Sequence, residues 1–237
     1  MTTIACKFQE VRTRIDAACR AVGRDPCEVG LLAVSKTFPA DCVAQVARLG
    51  QQAFGENYLQ EGVDKIAQLR AAGWTSLVWH CIGPVQANKT RLVAEHFDWL
   101  QTLDREKIAR RLADQRPAQL APLQVCIQVN VDGGANKAGV APDEALALAR
   151  VVAQLPRLCL RGVMSIPEPA PDFDTQRALH LRARKVFDEI RAAAVPGCER
   201  FDTLSLGMTG DLEAAIAAGS TLVRVGSGLF GTRPQRA

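Results

Sequence analysis

Short apolar runs and amphipathic segments alternate along this chain. Eight runs read as strands: 30–35 (GLLAVS), 52–55 (QAFG), 77–83 (LVWHCIG), 97–103 (FDWLQTL), 123–131 (LQVCIQVNV), 158–166 (LCLRGVMSI), 201–207 (FDTLSLG) and 220–226 (STLVRVG). The first of them, Leu31 to Val34, is continuously apolar, the pattern of a strand covered on both faces. Between the runs, apolar positions repeat at helical spacing. EALALARVVAQLP stops at a proline, which cannot continue a helix. TQRALHLRARKVFDEIRAAAVPG is long and amphipathic. GDLEAAIAAGS puts Leu212, Ala215 and Ile216 on one face, with Asp211 and Glu213 near its start, where carboxylates suit the helix dipole. Ahead of the first strand, Ile4, Phe8, Val11 and Ile15 predict a further N-terminal helix.

Strands alternating with helices predict a parallel sheet, and eight strands are the number that closes a (β/α)8 TIM barrel. The first strand-to-helix turn lacks GxGxxG, which argues against an open doubly wound sheet. No linker, low-complexity tract or repeat divides the chain. Residues 1–237 therefore predict one barrel domain, with the extra N-terminal helix capping its bottom or side.

Composition narrows the classes. With 237 residues, 48% hydrophobic and 23% charged, the chain can build a core without disulfide or metal staples. Its eight cysteines form no CxxC pair and no Cys/His cluster, so they read as reduced thiols of a cytoplasmic protein, with no zinc site. The N-terminus has no apolar signal segment, and no apolar run approaches the ~20 residues of a membrane span. A net charge of +4, dispersed basic residues and few aromatic ones do not indicate a nucleic-acid surface.

Barrel active sites gather at the C-terminal ends of the strands, and polar chemistry recurs there. Lys36 follows the first strand, and Glu56, Asn57 and Tyr58 follow the second. His80 lies in the third, Asn130 and Asp132 end the fifth, and Ser165 ends the sixth. Ser205 belongs to the seventh, and Arg224 in the eighth precedes Gly226, Ser227 and Gly228. A glycine-rich turn into a short helix near strands seven and eight suits a phosphate. A lysine across the mouth suits a carbonyl, with which its amine forms a Schiff base. Together they point to a phosphorylated carbonyl compound: a sugar phosphate, as in Schiff-base aldolases, or pyridoxal 5′-phosphate (PLP). Plainer readings stand beside these. His80 also reads as a satisfied core histidine, Asn57 as a helix N-cap, Ser205 as the closure of a turn, Met164 and Met208 as packing, and Lys89 and Lys137 as solvated lysines.

The segments LLAVSKT, FGENYLQE, WHCIGPVQANKTR and LSLGMTGDLEAAIAAGSTLVRVGSGLFGTR resemble the YggS-like family of PLP homeostasis proteins, from about residue 4 to the end of the chain. The resemblance implies a monomeric-type barrel similar to the N-terminal domain of alanine racemase, without the racemase C-terminal β domain. It implies PLP held as a Schiff base on Lys36, with Ser205, Gly226 and Ser227 on the phosphate, Arg224 facing the pyridine nitrogen, and Asn57 and His80 beside the ring. Four positions depart from the family pattern. Thr209 stands for serine and Ser227 for threonine, both keeping a hydroxyl; Asn136 replaces a serine before Lys137; Phe38 replaces a lysine at the mouth.

Guanidinium has donors only, so an arginine partner leaves the ring nitrogen unprotonated and the cofactor a weak electron sink. The chain's one tyrosine, Tyr58, and the missing β domain leave no second base. The expected function is a carrier that buffers or delivers PLP to apo PLP-dependent enzymes and so maintains vitamin B6 and amino-acid homeostasis, with no catalytic residue. The alternative is a PLP-dependent racemase or related amino-acid enzyme.

Overall fold

A computed structural model of the chain describes residues 3–133 and 138–231. Asn136, Lys137 and the basic tail fall outside them. The strands are β1 (Gly30–Val34), β2 (Ala53–Glu56), β3 (Val78–Cys81), β4 (Trp99–Leu103), β5 (Leu123–Gln128), β6 (Leu158–Met164), β7 (Thr203–Ser205) and β8 (Leu222–Val225). All pairs are parallel and follow chain order, and β8 returns to β1 to close the barrel. This is the predicted (β/α)8 architecture. The α-helices are α1 (Ile4–Ala21), α2 (Ala40–Arg48), α3 (Leu59–Ala71), α4 (Thr90–His96), α5 (Glu106–Gln115), α6 (Ala145–Ala153), α7 (Phe173–Ala192), α8 (Leu212–Ala217) and α9 (Ser227–Phe230).

The core lies mainly between the sheet and the helices. Phe54 and Trp79 point outward from adjacent strands, both fully buried, with ring centroids 5.8 Å apart. Cys81 and Cys126 are also fully buried, and burial pushes each thiol up to about 12. They act as small apolar side chains. The N-terminal helix α1 lies on the barrel's side, against α8, α9 and α2. Its Arg14 grips both oxygens of Glu213 at 2.8 and 2.9 Å and donates to the Thr209 carbonyl at 3.1 Å. The loop after β7 is thereby tied to the N-terminal helix. Among the described residues no helix is long and apolar enough to cross a membrane.

Candidate functional site

Successive side chains of a strand face opposite ways, so residues two apart share a face. Val34 and Lys36, and Arg224 and Gly226, are two such pairs, and all four line one pocket of about 310 Å³ at the C-terminal mouth of the barrel. Asn57, Ser227 and Thr209 complete its polar lining, while Ile82, Ile166 and Met208 supply apolar walls. A buried strand thus delivers a lysine because the inward row of β1 runs out of core at Val34, and its next inward position opens into the pocket. Phe38 does not stand at the mouth. It is buried and stacks on Phe230 at 5.1 Å, joining the Lys36 loop to the helix after β8.

Asn57 does not act as an N-cap, since Tyr58 occupies that position before α3. Its Oδ1 is buried in the pocket wall without a hydrogen-bond partner. A buried polar atom left open in this way is the mark of a group kept for a ligand. Gly83 makes room for it: a Cβ there would stand 2.1 Å from the Asn57 carbonyl oxygen.

Arg224 is 3% exposed and lies against the pocket floor. Its Nη1 donates to the Ser205 carbonyl at 2.7 Å and to the Ser205 hydroxyl at 2.8 Å, and Nη2 donates to the Ser165 carbonyl at 2.9 Å. Burial pulls the guanidinium down to about 10, so it remains a cation at neutral pH. The Ser205 hydroxyl donates onward to Gln101 Oε1 at 2.7 Å, and Gln101 Nε2 lies 2.9 Å from His80 Nδ1. Burial lowers His80 to about 3, so the ring is neutral, and the amide N–H donates to Nδ1.

The structure brings Lys36, Asn57, Arg224, Gly226 and Ser227 together in one lining and leaves two expected residues outside it. Ser205 is fully buried with its hydroxyl engaged by Arg224 and Gln101, so it supports the guanidinium from beneath the pocket. His80 sits one inward position deeper than Ile82, stacked on Trp99 at 4.9 Å, and does not line the pocket. Met208 is pocket wall, while Met164 is fully buried packing. Lys89 is exposed. Thr209 and Gln101 are the residues that sequence reasoning left out of the site.

The glycine-rich turn does not lie across the mouth from Lys36: it follows β8, which pairs with β1, so the two line the pocket from neighbouring strands. Gly228 N–H points at Thr209 Oγ1 from 3.4 Å, and the Ser227 and Thr209 hydroxyls lie 3.5 Å apart. A Cβ on Gly228 would come within 2.8 Å of Thr209 Cγ2, so the two loops meet only because glycine is there. Two hydroxyls beside backbone amides at the start of α9 are groups that could hold an anion. Ser227→Asp removes one hydroxyl and adds a negative charge. We expect it to weaken PLP at least 10-fold more than pyridoxal, about 1.4 kcal/mol of selective loss, in a titration of both ligands. Equal losses would place the phosphate elsewhere.

Known proteins share both the sequence and the fold of this chain. Residues 8–234 match the family model described as alanine racemase, N-terminal domain. Over 233 residues the chain is 52% identical to the pyridoxal phosphate homeostasis protein of Pseudomonas aeruginosa, covering 98% of this chain and 97% of that protein. The structure of Synechococcus elongatus PipY without PLP superposes with a TM-score of 0.84 at 33% identity, covering 97% of this chain and all (100%) of that one. PipY with PLP bound superposes with a TM-score of 0.78 at 33% identity, covering 92% and 100%. The chain belongs to the alanine racemase N-terminal domain family and, within it, to the pyridoxal phosphate homeostasis proteins.

Proposed function

We propose that this chain binds PLP in the pocket at the barrel mouth, with Lys36 joined to its aldehyde carbon as a Schiff base, and that it stores and delivers the cofactor without using it as a catalyst. The observation that carries the reading is the convergence of an amine, a buried guanidinium, an unpartnered amide and a hydroxyl-bearing glycine turn on one pocket. Each suits one group of PLP. The Lys36 amine suits the aldehyde, and the turn bearing Ser227 and Thr209 suits the phosphate. The Arg224 guanidinium suits the ring nitrogen, and the Asn57 amide suits the ring hydroxyl. Val34, Ile82, Ile166 and Met208 offer apolar cover to the ring.

When bound, PLP supplies an electrophilic carbonyl and an electron-withdrawing ring. Arg224 works against the second property. It is a donor held as a cation, so it hydrogen-bonds a neutral ring nitrogen and disfavours its protonation. Among the described residues lining the pocket, Lys36 and Arg224 are the charged side chains, and no carboxylate, histidine or tyrosine accompanies them. A racemase needs a second base. The arrangement favours holding PLP and releasing it to apo-enzymes.

The test is transfer. Loaded protein is mixed with an apo PLP-dependent enzyme and its reactivation followed, with free PLP as reference and a panel of amino acids assayed for turnover. Reactivation in proportion to the PLP supplied, with no sustained amino-acid turnover, is expected. Sustained racemisation or transamination by the native protein would establish an enzyme instead.

A further inference from the structure

The residues on either side of Lys36 are held in unusual ways. Thr37 has φ 68°, a left-handed conformation that a β-branched residue adopts only when its surroundings impose it. Ser35 is fully buried. Both are fastened by side chains from β2 and α3. The Ser35 hydroxyl donates to Glu56 Oε1 at 2.6 Å, and the Thr37 N–H donates to Glu61 Oε1 at 2.5 Å. One further side chain reaches all of these groups. Lys65, on α3 and 5% exposed, donates from Nζ to the Ser35 carbonyl at 2.9 Å and to Glu56 Oε1 at 2.6 Å, and approaches Glu61 Oε1 at 3.4 Å.

An ammonium has three N–H donors, and these three acceptors use them. A buried ion pair is by itself a weak source of stability, because desolvation offsets most of its Coulomb gain. Here the cost falls on Glu56, whose carboxyl burial raises while Lys65 draws it down. What the arrangement does supply is geometry. Every acceptor of Lys65 either flanks Lys36 in the chain or is bonded to a residue that does.

We infer that Lys65 is a positioning residue: from α3 it locks the Ser35–Thr37 turn through Ser35, Glu56 and Glu61, and so sets the approach of Lys36 Nζ to a carbonyl carbon in the pocket. The inference rests on the PLP reading of that pocket and deepens it. The step it governs is condensation. The neutral Lys36 amine attacks the aldehyde carbon, a C–N bond forms, and the carbonyl oxygen leaves as water with the two amine protons. No oxidant or reductant takes part. The bonds of Lys65 go to Ser35, Glu56 and Glu61, and it takes no part in the bond change.

The test separates covalent capture from plain binding. Lys65→Met breaks the lock but leaves Glu56 buried without its cation. The double variant Lys65→Met/Glu56→Gln removes that unpaired charge. Glu61→Ala, at a partly exposed position, releases the Thr37 N–H and the long Lys65 contact while leaving the bonds of Lys65 to Ser35 and Glu56 in place. For each, stopped-flow absorbance gives the rate of bond formation with PLP, and equilibrium titration gives the affinity for pyridoxine 5′-phosphate, which has no aldehyde. A misplacement on the order of 1 Å costs about 100-fold in rate. We expect losses approaching that in the Lys65 variants and a smaller slowing in Glu61→Ala, with pyridoxine 5′-phosphate affinity held within about threefold. An unchanged rate in Glu61→Ala and in a folded Lys65 variant overturns the inference. So does a parallel loss of rate and pyridoxine 5′-phosphate affinity, which would make Lys65 a prop of the fold. Failure of the underlying reading looks different: the native protein would form no bond with PLP at all.

Discussion

Lys36→Ala should abolish covalent retention of PLP while leaving the barrel intact. Lys36 stands two residues beyond Val34, the last residue of β1, half-buried at the pocket wall, and its side chain is no part of the apolar core. Truncation opens no core cavity, so stability should stay within about 0.5–1 kcal/mol of the native protein. The ligand loses much more. On the proposed binding mode, loss of the C–N bond leaves PLP to the turn bearing Ser227 and Thr209, Arg224 and Asn57, and it should pass through dialysis or gel filtration. The visible absorbance of the bound cofactor should disappear from the protein fraction, while circular dichroism and the unfolding midpoint barely move. A variant that retains that band through gel filtration would show that another amine carries the cofactor.

Arg224→Glu is expected to be costly and still to create no enzyme. The arginine makes three hydrogen bonds from inside the barrel, two of them to carbonyl oxygens. Glutamate cannot donate to them, and it places a buried carboxylate against Ser205. Breaking a buried charged network of this kind costs roughly 3–5 kcal/mol, a large share of the stability of an ordinary domain. Chemical denaturation should show the loss directly. In the fraction that folds and takes up PLP, the carboxylate stabilises a protonated ring nitrogen, so the absorbance should shift. Reaction with L-alanine in single-turnover experiments should nonetheless stay at the native level. Positioning of reactants is worth roughly 7–11 kcal/mol of a barrier, and among the described residues the pocket lining offers no second base to supply it. Rapid consumption of L-alanine by the variant would show that a weak electron sink alone keeps the native protein inert.

The barrel was largely legible in the sequence because apolar runs such as Leu31–Val34 and Leu123–Ile127 leave little choice but a strand buried on both faces. Their ends were less so. The run 77–83 yields a strand only over Val78–Cys81, because Gly83 must turn to pass the Asn57 carbonyl. The run 123–131 pairs in the barrel to Gln128, after which Val129 bridges to Val140. Pleat parity made the site legible too: Lys36, Asn57, Arg224 and Gly226 all fall on inward rows at strand ends. A place near a strand end and a family resemblance do not give depth: Ser205 and His80, expected at the cofactor on those grounds, lie beneath the pocket lining. Gln101 went unread because its partner Ser205 is 104 residues away, and no local pattern encodes that contact. Lys65 went unread for a related reason. A lysine in an amphipathic helix reads as solvated, and only the folded loop after β1 shows what it holds.

The central claim is that PLP is bound covalently at Lys36. The most direct measurement is borohydride reduction of the loaded native protein, followed by proteolysis and mass mapping of the modified lysine. Reduction fixes the bond wherever it exists, so the result does not depend on spectra or on a variant's stability. The expected result is one modified peptide, LLAVSKTFPAD or its proteolytic equivalent, carrying the reduced cofactor on Lys36. Modification chiefly at Lys89 or Lys137, or none at all, would contradict it.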